Sequence, residues 1–268
     1  MATVTFISTT SQISTMLSTL QDLPTSPPSL YIDLEGTQLS RNGTISLLTL
    51  YAPPLNTIYL IDVHNLGATT FSTLATPESD TTLKSLLESP SIPKVFFDVR
   101  NDSDALFAHY AIDLKCITDL QLMELATTTR RNRTYVNGLA ACIERDSGIS
   151  SAQRDHARAV KDAGRKLFAP EKGGSYDVFN ERPLQPMVQE YCVVDVLHMP
   201  KLWEVYKKRM SAFWEVMVRE AGEERVRESQ GSGYRADDGG KRLGCWSVRV
   251  VGEARGRWEK GVRSGLCG

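Results

Sequence analysis

The sequence predicts an α/β fold: a mixed sheet flanked by helices, with a helical C-terminal part. Three observations carry that expectation. Residues 30–63 hold three strand-like apolar runs joined by short polar turns, which favours an antiparallel meander. From about residue 82 strand and helix patterns alternate, and from Asp119 to about Glu228 the chain reads as predominantly helical.

Taken in order, Thr3–Thr9 reads as a short strand, and Ile13, Met16, Leu17 and Leu20 then recur at helical spacing within Ser11–Leu23. After the breaker run "PTSPPS", the segments Leu30–Glu35, Ile45–Tyr51 and Ile58–Val63 are strands separated by "RNG" and "PPLN" turns. Thr82–Ser89 predicts a helix, "KVFFD" (Lys94–Asp98) a fourth strand, and Asp102–Tyr110 a helix opened by polar residues. Cys116–Thr118 fits a fifth strand, and the helical stretch beyond it breaks at "KGGS" and Pro200. From Ser229 the composition turns to Ser, Gly and charge ("SQGSGYRADDGGKR"). Residues 1–228 are therefore expected to form one domain and residues 229–268 a loosely held Gly/Ser-rich and basic tail. No internal repeat is present.

With 41% hydrophobic and 24% charged residues the composition is that of a soluble globular protein. The N-terminus lacks the pattern of a signal peptide, and no run approaches the roughly 18 apolar residues of a membrane span; an intracellular protein with no membrane association is expected. Five cysteines (Cys116, Cys142, Cys192, Cys245, Cys267) are scattered without CxxC spacing, which argues for reduced thiols over disulfides or a structural zinc site. Lys+Arg against Asp+Glu run 3 to 8 over residues 1–99, 13 to 14 over 100–200, and 15 to 10 over 201–268. A basic C-terminal third is compatible with a polyanionic partner, although solvated helices are the commoner cause of such an excess.

Four acidic residues break local expectation. In "SLYIDLEGTQLS" strand alternation turns Tyr31, Asp33 and Glu35 to one face and Leu30, Ile32 and Leu34 to the other. Two like charges side by side on a central strand repel and lose hydration, so a positive group is required, and a metal ion would serve. In "KVFFDVRNDSDALF" Asp102 falls where a strand runs into a helix; helix capping is the ordinary role for such an Asp. In "MVQEYCVVDVLHM" the residues Val188, Tyr191, Cys192, Asp195 and Met199 share one helical stripe, placing Asp195 within an apolar face with Tyr191 one turn before it. A carboxylate there needs an arginine, a hydrogen-bond cage or a cation.

"DLE" on a first strand, an Asp opening the helix after "KVFFDVRND", and "YxxxD" on a later helix together resemble the DEDDy 3′-5′ exonucleases, which include ribonuclease D and the Werner exonuclease. The phrases "DLEGTQLSRNGTISLL", "VFFDVRNDSDALF", "KLFAPEKGGSYDVFNERPL" and "EYCVVDVLHMPKLW" are similar to a subgroup of small stand-alone 3′-5′ exonuclease domain proteins, over about residues 28–205. Phe97 stands where relatives often carry a histidine, and the segment "RDSGISSAQRDHARA" has no assigned place in the pattern. The resemblance implies a ribonuclease H-like sheet, hydrolysis of phosphodiester bonds from the 3′ end of single-stranded RNA or DNA, and two metal ions. Asp33, Glu35, Asp102 and Asp195 would be the metal ligands. Asp33, Glu35 and Asp195 would hold the ion that activates water, Asp33 would also bridge to the second ion, and Asp102 would complete the site partly through bound water. Tyr191 would orient the nucleophilic water; with a free pKa near 10 it suits orientation better than general-base action. Carboxylate ligands without His or Cys suit Mg²⁺ or Mn²⁺. A nuclease-fold RNA-binding adaptor with a weak or inactive site, acting in an RNA-processing or silencing complex, is the alternative.

For substrate handling, Leu39, Phe97 and Phe107 are candidates to stack on terminal bases, core packing being the alternative for each. Arg130, Arg131 and Arg133 in "TTRRNRTY" are candidate phosphate contacts. Lys172 and the two glycines of "EKGGS" form a loop that either covers substrate or simply ends a helix.

Overall fold

The structure, a computed structural model, describes residues 2–128 and 133–261. Six strands form one mixed sheet: β1 (Thr3–Ile7), β2 (Leu30–Glu35), β3 (Leu47–Ala52), β4 (Thr57–Ile61), β5 (Lys94–Phe96) and β6 (Ile117–Asp119). Their spatial order is β1-β4-β3-β2-β5-β6. β2, β3 and β4 are the expected antiparallel meander, whereas β1 pairs parallel with β4 and β5 lies parallel to both β2 and β6. The helices are α1 (Thr10–Thr19), α2 (Val63–Leu66), α3 (Thr69–Ser72), α4 (Leu83–Glu88), α5 (Arg100–Tyr110), α6 (Leu120–Thr127), α7 (Leu139–Asp146), α8 (Ser151–Phe168), α9 (Pro186–Leu197), α10 (Met199–Arg209), α11 (Ala212–Gln230) and α12 (Val248–Glu259).

The period-2 pattern of β2 separates two cores. Leu30, Ile32 and Leu34 join a cluster with α1, α3, α4 and α5 residues, while Tyr31 joins a second cluster with α6, α9, α10 and α11 residues. Asp33 and Glu35 lie on the Tyr31 face, in register with Thr49 and Leu47 of β3. α9 packs across β2, β3 and β4 on that face. Because β2 and β5 run parallel, Glu35 at the end of β2 and α5, which starts shortly after β5, meet at one end of the sheet, the usual location for a site in such sheets.

Some element boundaries differ from expectation. Pro200 breaks the helical run as predicted, ending α9 at Leu197, so the buried Met199 opens α10 rather than extending the Tyr191–Asp195 stripe. Residues 229–261, the described part of the stretch expected to be loosely held, pack onto the domain. Its Trp246 is buried against Trp214 with ring centroids 5.1 Å apart, Leu243 bridges Tyr135, and Ala254 of α12 is fully buried. The Tyr234 hydroxyl and Lys241 Nζ both donate to Asn101 Oδ1, at 2.6 and 2.8 Å, beside Asp102. Composition flagged the polar residues of this stretch and missed its anchors.

Among the described residues no helix is long and apolar enough to cross a membrane. Cys116, Cys142, Cys192 and Cys245 are free thiols.

Candidate active site

Asp33 and Glu35 on β2 and Asp195 on α9 converge, with one carboxylate oxygen from each lying within 4.8 Å of the others. Asp33 and Glu35 are half-buried and Asp195 is 4% exposed. Asp102, 6% exposed, lies in the first turn of α5 rather than at its cap: the N-cap is Val99, which makes no side-chain cap bond. The capping alternative is thus excluded, and Asp102 Oδ1 is buried with no hydrogen-bond partner among the described residues.

The neighbouring acidic residues show what a structural carboxylate looks like in this fold. Asp98, at a backbone φ of 63°, accepts two hydrogen bonds from Arg100 at 2.6 and 2.7 Å. Asp119 accepts from Arg225 at 2.7 Å and from the Asp98 and Val99 amides, and Asp104 accepts from the Arg41 amide and guanidinium. Asp33, Glu35 and Asp102 have no arginine partner among the described residues. Burial, then the Asp195 carboxylate, pushes Asp33 up to about 8, with Lys161 opposing. Burial, then Asp33 and Asp195, holds Glu35 well above the usual carboxylate range, and burial followed by Asp33 does the same for Asp102. Three crowded carboxylates on acid-only ligands, plus an orphaned oxygen on a fourth, fit a site for hard divalent cations.

Tyr191 is 8% exposed on the same face of α9 as Asp195. Burial, then the charges of Asp195, Glu35 and Asp33, lifts its phenol above the ordinary range, so it is held protonated. Its ring meets Phe168 edge-on, centroids 5.1 Å apart. α8 crosses closely here because residue 164 is glycine: a Cβ at that position would come within 2.4 Å of Tyr191 Cδ2.

Lys161 of α8 was not among the expected site residues. Its ammonium donates to Asp195 Oδ1 and lies 3.8 Å from the Tyr191 ring centroid. The signal was available, since Ala157, Val160 and Gly164 form the buried stripe of α8 and Lys161 sits within it at i+4 from Ala157. It belongs to the helix that the unassigned "SSAQRDHARA" segment begins.

The other expected contacts fare unevenly. Arg133 donates to the Leu125, Ala126 and Thr128 carbonyls and its guanidinium stacks 4.6 Å from the Trp214 ring centroid, so it secures the C-terminus of α6 and is not a phosphate contact. Arg130 and Arg131 lie outside the described residues. Leu39 and Phe97 pack against the two cores, while Phe107 is 40% exposed. Lys172 is exposed, and its loop is tied down: Gly173 adopts φ +84°, and the Gly174 and Ser175 amides donate to the Ala169 and Leu167 carbonyls. Gly173 closes the 3-10 turn Pro170–Lys172 that follows α8, and the Ser175 amide caps the Leu167 carbonyl of the last α8 turn, which favours the helix-end alternative.

The sheet order, the converging acids and the tyrosine one turn before Asp195 define a nuclease fold. A 3′-5′ exonuclease family description matches residues 4–210, and the chain belongs to that family of hydrolases. Trypanosoma brucei RNase D, solved in complex with RNA U12, is similar in fold with a TM-score of 0.68 and 21% identity over 88% of this chain and 74% of that one. Escherichia coli RNase D, an exoribonuclease involved in structured RNA processing, aligns with a TM-score of 0.58 and 17% identity over 85% of this chain and 51% of that one. The catalytic core of RRP6 from Trypanosoma brucei, as the C496S mutant, gives 0.59 and 14% over 84% and 52%. No curated protein sequence matches the chain.

Proposed function

We propose that the protein is a metal-dependent exonuclease that removes nucleotides from the 3′ end of single-stranded RNA or DNA, using two Mg²⁺ or Mn²⁺ ions held by Asp33, Glu35, Asp102 and Asp195. The observation that carries this reading is the convergence of Asp33, Glu35 and Asp195 with no arginine to neutralise them, beside the unpartnered Asp102 oxygen. All four acidic positions are intact, which leaves the inactive-adaptor alternative without support. The exonuclease domain comprises residues 1–228, with residues 229–268 as an appended segment whose Tyr234 and Lys241 bond Asn101, next to Asp102 in the chain.

Bound divalent ions would supply Lewis-acid activation of water and stabilisation of the leaving oxygen. The chain's own residues supply the rest. Asp33 and Glu35, presented together by strand alternation, and Asp195, from the helix packed on that face, would hold the ions. Asp102 brings a further carboxylate oxygen from the first turn of α5. Tyr191, protonated, donates a hydrogen bond that orients the attacking water and leaves proton removal to another acceptor. The RNA held by the similar Trypanosoma brucei RNase D supports RNA as the first substrate to try.

The test is a 5′-labelled single-stranded oligonucleotide with Mn²⁺. A ladder of shortening products is expected, with strong slowing by a 3′-phosphate, and cleavage of a circular single strand would overturn the exonuclease assignment. The fit between α8 and α9 provides a second prediction. Gly164→Ala adds a methyl group that forces Tyr191 aside. Overpacking costs about 1 to 3 kcal/mol, partly offset by the roughly 1 kcal/mol that Ala gains over Gly in a helix. Misplacing Tyr191 is expected to cost about 10- to 100-fold in turnover. Wild-type kcat in a folded Gly164→Ala protein would show that the ring position does not matter.

A further inference from the structure

Lys161 reaches the carboxylate cluster from α8, which carries none of the four acids. Its side chain is 15% exposed and that of Asp195 5%, so the pair is largely shielded from water. The ammonium also lies on the face of the Tyr191 ring, 3.8 Å from its centroid, so one cation holds both Asp195 and Tyr191. The neighbouring acids Asp98, Asp104 and Asp119 are each matched by an arginine, a planar cation with several donors in a fixed fork. Here the partner is a lysine, a point charge on a flexible stem. That stem borders a groove between α7 and α8 lined by Glu144, Arg154, Arg158, Asp162 and Arg165, in which Glu144 is paired with Arg158.

We propose that Lys161 is the resident counter-ion of this site: it holds Asp195 and Tyr191 in place while no divalent ion is bound, and a divalent ion must displace it from Asp195 to load. The proposal rests on the metal-dependent reading above. An ammonium and a dication cannot share one carboxylate oxygen without strong mutual repulsion, so the two compete. Lys161 is then a positioning residue that trades metal affinity for integrity of the empty site and sets the metal concentration at which the enzyme turns on. A lysine that merely braced α8 against α9 would contribute equally with and without metal, and its loss would not tighten metal binding.

The experiment compares wild type, Lys161→Met and Lys161→Arg by Mn²⁺ titration calorimetry and by thermal unfolding in EDTA and in saturating Mn²⁺. Lys161→Met is expected to lower Tm in EDTA by roughly 3 to 6 °C, to lie close to wild type in Mn²⁺, and to bind Mn²⁺ about tenfold more tightly. Lys161→Arg, which keeps the charge, should retain the wild-type Tm in EDTA. If Lys161→Met is unfolded in EDTA, folding on addition of Mn²⁺ is the expected result, and failure to fold in either condition overturns the proposal. Unchanged or weaker Mn²⁺ affinity, or an equal loss of Tm in both conditions, also overturns it while leaving the exonuclease reading intact. A wild-type protein that takes up no Mn²⁺ overturns both.

Discussion

Asp33→Asn is expected to be inactive and, in EDTA, more stable than the wild type. The loss of turnover should be at least about 10³-fold, because several kcal/mol of charge stabilisation depend on a correctly held ion. The gain in stability follows from crowding: burial and the Asp195 carboxylate push Asp33 up to about 8. A carboxyl whose folded pKa lies above its unfolded value keeps its proton longer in the native state. Between about pH 4 and 8 the folded protein therefore binds more protons than the unfolded chain, and the stability of the metal-free protein falls as pH rises through that window. Glu35 and Asp102, raised for the same reasons, act in the same direction. Asparagine keeps the shape and removes one charge, so its advantage over wild type in EDTA should widen from pH 5 to pH 8. In Mn²⁺ the order should reverse, because wild type gains more by ligand linkage. Thermal unfolding at both pH values, with EDTA and with Mn²⁺, measures this. A variant that is less stable than wild type in EDTA at pH 8 would mean that Asp33 makes a favourable structural contact and is not held in a strained acid cluster.

Tyr191→Phe is expected to fold normally and to lose 10² to 10⁴ in kcat, the range for removing a positioned proton-handling group. The ring contacts that phenylalanine retains, with Phe168, Gly164 and the Lys161 ammonium, account for the unchanged fold. Only the hydroxyl is lost. Because burial and three carboxylates hold the phenol above its ordinary range, the pH–rate profile of the wild type should carry no ionisation from Tyr191. A folded Tyr191→Phe protein with wild-type turnover would require another residue to orient the water.

Much of this site was legible because its geometry is local. Alternation along β2 alone puts Asp33 and Glu35 on one face, and a four-residue helical step alone puts Tyr191 beside Asp195. The Asp102 position was ambiguous in sequence, where a cap and a ligand look alike. The structure gives the N-cap to Val99 and leaves a buried Asp102 oxygen without a hydrogen-bond partner among the described residues, which removes the capping role. Composition alone makes the tail look loosely held, because Gly, Ser and charge dominate it, while its anchors are isolated residues such as Trp246 and Ala254 whose partners lie elsewhere in the chain.

By itself the sequence determined the strand meander, the two-sided core of β2 and the four acids with their tyrosine, since each depends on a periodicity of two or of 3.6 residues that neighbours in the chain establish. Only the tertiary structure decided which cation meets those acids. Lys161 and Asp195 are 34 residues apart, and they meet because Gly164 lets α8 lie against the Tyr191 ring. A contact of that kind depends on the distance between two helix axes, which no periodicity within either helix encodes.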